Sequence, residues 1–264
     1  MRKRQAASMS LHDGLVWTLK AQTAPIQTAV FCPKAAISSG EVELLVFVHG
    51  IVTGCRPQAT GPTDYIVKAP FNLGSVVAAS NRAIVLVVPY NDWAKRKHHP
   101  LSRPAKLNRF VDEVMKEVGR VRGTASPSLH TLILAGHSRA WGFLDSLARS
   151  ARTDAEMRNG ALARLSQVWA FDTTYVSPPT DGYKAWLDLD RNLAFRFFYT
   201  GESPRSPTKA GGDALRPLAG EYKGRFNLEA GFKTGAHCSM PRTLLPALLR
   251  PTMSDGEASC SYSL

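Results

Sequence analysis

Long hydrophobic runs are missing from this sequence of 264 residues. No apolar stretch approaches the roughly 20 residues that a membrane-spanning helix needs, so the sequence predicts no transmembrane segment. The basic start, Met1–Ser10, has no apolar core after it, and we do not interpret it as a secretory signal. We therefore expect a cytoplasmic protein.

Cysteine is also scarce, with four residues: Cys32, Cys55, Cys238 and Cys260. None of them forms a C-x-x-C pair, so no metal site is indicated. Reduced thiols are the expectation for a cytoplasmic protein, and disulfides are the alternative if the chain is exported.

Signatures of cofactor binding are absent. The sequence has no Gly-rich phosphate loop and no dinucleotide fingerprint, so we predict no cofactor. The formal charge is +12, but the one basic cluster, Lys95–His99, has no interleaved aromatic residues and no nucleic-acid-binding motif accompanies it. A solvated basic face is the simplest interpretation. Attraction to an acidic substrate or an anionic surface stays open, and a polyanion-binding protein is one rival interpretation.

What is present is an alternation of strand and helix patterns. Short apolar runs without polar alternation are typical of parallel strands covered on both faces. The predicted strands are Leu15–Leu19, Thr28–Phe31, Val42–Val48, Ala83–Pro89, Thr131–Ala135, Val168–Phe171 and Leu193–Tyr199. Helical spacing of apolar residues covers 106–122, 139–150, 155–166 and the final stripe Leu244–Leu249. This pattern predicts a single three-layer α/β domain over residues 1–250, with a mostly parallel sheet, and a frayed polar tail over 251–264.

Polar residues gather at the predicted carboxyl ends of the strands, where ligand sites of α/β sheets form. His49 and Gly50 follow one strand, Ser138 another and Asp172 the next; Glu202 lies just beyond the one after that. His237 comes later, before the last helix. The order of serine, acid and histidine is that of the α/β-hydrolase fold.

The stretch Gly136-His137-Ser138-Arg139-Ala140 resembles the nucleophile elbow of the α/β-hydrolase superfamily, and His49-Gly50 resembles its oxyanion-loop motif. The likeness covers roughly residues 40 to 250. Ala140 replaces the last glycine of G-x-S-x-G, but alanine also meets the demand for a small side chain at this close approach.

The resemblance implies a Ser-His-Asp triad. Ser138 would be the nucleophile, His237 the base and Asp172 the acid, with Glu202 as the alternative acid. The backbone N–H groups of Arg139 and Ile51 would form the oxyanion hole. A structural role beside the elbow is the favoured interpretation of His137.

The segment 173–192 joins two strands and would be either a small cap over the site or a satellite core. His49, Gly50, Tyr175 and Trp186 are the residues expected on the substrate side. For His49 the resemblance also implies a structural role, in which it orients the oxyanion loop and takes no direct part in catalysis. The predicted activity is hydrolysis of a carboxylic ester of a small-molecule acyl substrate through an acyl-enzyme. A thioesterase, an amidase, an acyltransferase and a noncatalytic binding protein of the same fold remain alternatives.

Overall fold

The computed structural model describes residues 9–250, apart from residues 12, 24–25, 52–53, 94, 97, 152–158, 174–179, 202–207 and 234–235. Its strands are β1 Met9–Leu11, β2 Gly14–Lys20, β3 Gln27–Pro33, β4 Glu41–Val48, β5 Ile84–Pro89, β6 Ser128–His137, β7 Leu165–Phe171, β8 Ala194–Phe198 and β9 Phe226–Glu229. These described strands form one nine-stranded sheet in the order β1-β2-β3-β5-β4-β6-β7-β8-β9.

The sheet is antiparallel at one side and parallel over the rest. β1 to β3 run antiparallel to their neighbours, and β3 also pairs antiparallel with β5. From β5 to β9 every pairing is parallel. β4 and β6 lie at the centre, with Leu45 opposite Ile133 and Phe47 opposite Ala135. The carboxyl ends of six neighbouring parallel strands therefore meet at one edge.

Helices cover both faces of the sheet. They are α1 Lys34–Ile37, α2 Pro62–Val67, α3 Leu73–Ala79, α4 Pro104–Arg122, α5 Trp141–Ala151, α6 Thr180–Leu189, α7 Lys209–Asp213, α8 Arg216–Glu221 and α9 Met240–Leu248. Alternate residues of β4 point to opposite sides of the sheet. Leu44 and Val46 belong to the core cluster that includes α4, α5 and α6, whereas Leu45 and Phe47 belong to the cluster that includes α2, α3 and α9. The predicted three-layer α/β sandwich is confirmed. Of the described helices, none has the length and apolar character to cross a bilayer.

Some predicted elements were wrong. The helix expected over 155–166 is a short 3-10 turn, Gly160–Arg164, in its described part, and Leu165 already begins β7. Leu162 and Leu165 both belong to the core, so a turn and a strand start produced the same apolar spacing as a helix. The short strands β1 and β9 were not predicted. The predicted tail, 251–264, lies outside the described residues.

The segment 173–192 contributes to the core in its described part. Its helix α6 packs against α5, and Tyr183 meets the ring of Phe195 edge to face at 4.9 Å. The segment was expected to form either a small cap or a satellite core, and α6 is part of a packed core.

Candidate active site

The turn after β6 holds Ser138 in an unusual backbone conformation. Its φ is +56°, in the left-handed region that non-glycine residues rarely adopt, and a 3-10 turn over Ser138–Ala140 leads directly into α5. Close packing explains the small residues on either side. A Cβ added to Gly136 would lie 2.8 Å from Leu144 Cδ1 and 3.3 Å from the Cβ of Ala140. The sharp corner expected from the sequence is therefore present, and it holds a strained serine.

Asp172 and His237 are paired across the site. Asp172 follows β7 with a φ of +51°, and its Oδ2 lies 2.6 Å from Nδ1 of His237. Its other oxygen accepts a hydrogen bond from the backbone N–H of Thr200 at 3.0 Å. Burial alone would raise the pKa of Asp172, but hydrogen bonds from His237, Thr208 and Thr200 outweigh it and hold the pKa below the ordinary value. An ionised carboxylate thus faces the imidazole.

The elbow and the histidine loop are in direct contact. The residue before Ser138, His137, has its Nε2 2.9 Å from the carbonyl oxygen of His237, and the two imidazole rings are 4.5 Å apart. Because Asp172 binds Nδ1 of His237, a neutral ring keeps its lone pair on Nε2. The structure brings Ser138, His237 and Asp172 into one neighbourhood.

Gly50 lies against the elbow. A Cβ placed on Gly50 would be 2.3 Å from Ser138 Cβ and 2.7 Å from the backbone nitrogen of Arg139. A glycine is therefore required for this approach. It brings Gly50 next to the backbone amide of Arg139, one of the two predicted oxyanion donors. Ile51, which would supply the other, follows Gly50 directly in the chain.

His49 lies behind this loop, where it orients the loop as the resemblance implied, and not on the substrate side, where it was also expected. Its ring is buried between Tyr65 and Tyr90, at centroid distances of 4.6 and 4.8 Å. Nε2 accepts a hydrogen bond from the Asn91 N–H, so Nδ1 carries the proton that it donates to the Gly50 carbonyl at 2.8 Å. Burial lowers the pKa of His49 to about 4, which keeps this tautomer neutral.

A disulfide joins the two loops that flank the serine. Cys55, five residues after Gly50, is bonded to Cys238, directly after His237, with a Cα–Cα distance of 5.6 Å. The expectation of reduced thiols was wrong for this pair, because a separation of 183 residues leaves no local spacing to detect. Cys32 is buried and free, and Cys260 lies outside the described residues. Because these two cysteines are bonded to each other, reduced thiols no longer support the expected cytoplasmic location.

The remaining predicted residues have other placements. Trp186 is fully buried in the core, where its indole N–H donates to the Leu144 carbonyl at 3.1 Å, so the expectation that it contacts substrate was wrong. Its large apolar side chain fits a packed helix as well as a pocket. Tyr175 and the alternative acid Glu202 lie outside the described residues.

Sequence reasoning missed three contributors. Thr200 supplies a backbone donor to Asp172, Asn91 binds the ring of His49, and the disulfide ties the loops together. A hydroxyl or amide at a strand end carries little signal alone. Within the described residues, no group of three or more His, Cys, Asp or Glu side chains is arranged to hold a metal ion.

Searches by sequence found no matching family model and no significantly similar curated protein. Solved structures do match. A hyperthermophilic esterase from the archaeon Pyrobaculum calidifontis superposes with a TM-score of 0.53 at 13% identity, covering 91% of this chain and 82% of that one. Esterase 2 of Thermogutta terrifontis gives 0.53 at 12% identity, covering 91% and 93%. The chain has the α/β-hydrolase fold.

Another solved structure agrees with this fold assignment. A cold-adapted esterase from an Arctic intertidal metagenomic library superposes with a TM-score of 0.50 at 11% identity, covering 91% of this chain and 93% of that one. At such identities the similarity concerns the fold. The chemistry of this chain must therefore be argued from its own residues.

Proposed function

We propose that this protein is a serine hydrolase that cleaves a carboxylic ester through Ser138, His237 and Asp172. The observation that carries the proposal is the 2.6 Å contact between His237 Nδ1 and Asp172 Oδ2, beside an elbow that holds Ser138 at a φ of +56°. A buried carboxylate and a strained serine both cost folding free energy. Both of these unfavourable features lie at the same edge of the sheet, which supports a catalytic role over a noncatalytic one.

The first step forms an acyl-enzyme. Ser138 Oγ attacks the ester carbonyl carbon while Nε2 of His237 takes the hydroxyl proton, and Asp172 stabilises the resulting imidazolium. The carbonyl oxygen becomes an oxyanion, which accepts hydrogen bonds from the N–H groups of Arg139 and Ile51. His237 then donates its proton to the departing alcohol oxygen as the C–O bond breaks.

The second step hydrolyses the acyl-enzyme and regenerates the free enzyme. Water loses a proton to His237 Nε2 and attacks the acyl carbon, and the proton passes back to Ser138 Oγ as the acid leaves. Thioesters and amides would use the same groups. Esters are our choice because the similar structures named above are esterases by description.

Labelling with a fluorophosphonate probe tests the nucleophile. The wild type is expected to be labelled, Ser138→Ala not at all, and His237→Gln at a rate lower by about 10³-fold or more. His130→Gln is the matched control, because His130 is exposed on β6. A folded wild type that resists the probe, or a Ser138→Ala variant that still reacts, would contradict the proposal. A panel of matched ester, thioester and amide substrates then decides the class.

A further inference from the structure

His137 is a buried imidazole that the proposed chemistry does not use. It is fully buried directly before Ser138, with the edge of Phe71 at a centroid distance of 5.6 Å on one side and the ring of His237 on another. Its Nε2 lies 2.9 Å from the main-chain oxygen of His237, across 100 residues of sequence.

The direction of this hydrogen bond fixes the protonation of the ring. A carbonyl oxygen only accepts, so Nε2 of His137 must carry the proton and donate. Burial, together with the nearby His237, lowers the pKa of His137 to about 3, so the ring is neutral and its Nδ1 holds a bare lone pair. Nδ1 has no hydrogen-bond partner in the described part of the chain.

A buried imidazole with only one of its two nitrogens hydrogen-bonded is not explained by packing alone. Leucine or phenylalanine could fill the space against Phe71 without leaving a polar nitrogen unpaired, which costs free energy of folding. What histidine adds at this position is the single bond from Nε2 to the base's main chain. That bond also links the two reacting residues, because His137 is covalently attached to Ser138.

We infer that His137 is a positioning residue, whose Nε2–H holds the main chain of His237 at a fixed distance from Ser138. The inference rests on the proposed function, because it concerns how the base meets the nucleophile. The Cys55–Cys238 disulfide holds the same loop one residue further on. His137 thus fixes the loop to the elbow, and the disulfide fixes it to the oxyanion loop.

Paired substitutions separate the effect of the hydrogen-bond donor on turnover from the effect of side-chain packing. In His137→Gln, the side-chain amide nitrogen can take the place of Nε2, whereas His137→Leu and His137→Phe fill the space without a donor. We expect the apolar variants to lose about 10- to 100-fold in kcat, with KM within about twofold, because the base is displaced while the substrate contacts remain. We expect His137→Gln to keep kcat within about threefold of the wild type.

The fluorophosphonate labelling rate should fall by the same factor as kcat. Melting temperatures show whether each variant is folded. Wild-type kcat in a folded His137→Leu or His137→Phe variant would overturn the inference, and so would a folded His137→Gln as slow as the apolar variants.

A readout without turnover separates this inference from the proposed function. The Nδ1 proton of His237, in its bond to Asp172, should give a far-downfield proton NMR signal. We expect the signal in the wild type and in His137→Gln, and a weakened or absent signal in the apolar variants. An unlabelled wild type would contradict the proposed function, while an unchanged signal in His137→Leu would contradict the positioning role.

Discussion

Nδ1 of His49 and the carbonyl oxygen of Gly50 lie 2.8 Å apart. The peptide between Gly50 and Ile51 is trans, so its N–H and C=O point in opposite directions. Because the carbonyl is directed to the buried imidazole, the Ile51 N–H is directed away from it. One side chain in the interior thus sets the direction of a proposed oxyanion donor.

Replacing His49 by phenylalanine should therefore lower kcat. The ring can still stack between Tyr65 and Tyr90, but it can neither donate to Gly50 nor accept from Asn91. We expect kcat to fall by up to about 10²-fold, as for the loss of one oxyanion donor. Steady-state kinetics on a neutral ester measure the effect, with His130→Phe as the exposed control. Unaltered turnover in a folded variant would show that the hydrogen bond from His49 is not needed to direct the Ile51 N–H.

A methyl group at Gly50 should disrupt the same loop. In Gly50→Ala the new Cβ would lie 2.3 Å from Ser138 Cβ, so the loop must withdraw from the elbow. We expect kcat/KM to fall by about 10²-fold or more. Gly54→Ala is the matched control, because a Cβ on Gly54 meets no atom of the described residues within 4 Å. Equal kinetics for the two variants would show that the approach of Gly50 to Ser138 is not needed.

Neutralising the acid should be the most damaging conservative change. In Asp172→Asn the side chain keeps its shape but no longer stabilises a charged His237 or fixes its tautomer. We expect kcat to fall by about 10³- to 10⁴-fold. Glu202→Gln tests the alternative acid and should leave kcat within about twofold. The opposite ranking of the two variants would transfer the role to Glu202.

Acid should destabilise the fold through buried histidines. Burial lowers the pKa of His49 to about 4, and those of His99 and His137 to about 3, from 6.5. Below pH 6.5 the unfolded chain binds protons that the folded state does not, so stability is complete above this pH and falls as the pH decreases. At about pH 5 each histidine accounts for a loss of about 2 kcal/mol, or about 6 kcal/mol together.

Urea unfolding at about pH 7.5 and at about pH 5 measures this loss. In His99→Phe the loss should be smaller by about 2 kcal/mol. His130→Phe, at an exposed position on β6, is the matched control for replacing a histidine outside the core. A pH dependence in His99→Phe equal to that of the wild type would contradict the assignment.

Breaking the disulfide should affect both stability and rate. The Cys55–Cys238 bond closes a separation of 183 residues, for which the chain-entropy model gives roughly 5 kcal/mol of stabilisation. The double variant Cys55→Ser/Cys238→Ser should lose about 2–5 kcal/mol and part of its kcat, because the oxyanion and histidine loops are released from each other. Unfolding and kinetics with and without dithiothreitol measure both effects. Cys32→Ala, which leaves the bond intact, should respond to the reductant as the wild type does.

The sheet and the elbow could be predicted because their signals are local. The near-continuous apolar runs of β4 to β8 reflect burial on both faces, and a strand, a small-residue turn and a helix follow one another around Ser138. Local spacing failed where two elements gave the same pattern. Leu162 and Leu165 fit one helical stripe, although Leu162 lies in a 3-10 turn and Leu165 begins a strand.

Contacts between distant segments could not be predicted from one sequence. The disulfide and the hydrogen bond from His137 to His237 join residues 183 and 100 positions apart. Trp186 shows a related limit, because a large aromatic residue fits a packed helix and a substrate pocket equally well. In both cases the tertiary packing, and no property of the residue itself, decides the outcome.

The disulfide turns residues 55 to 238 into one covalent ring, and Ser138, Asp172 and His237 all lie within it. A single cut by a protease anywhere between these cysteines leaves two fragments that cannot diffuse apart. The nicked protein would migrate as one band without reductant and as two bands with it. All three reacting groups would stay on one covalently connected molecule.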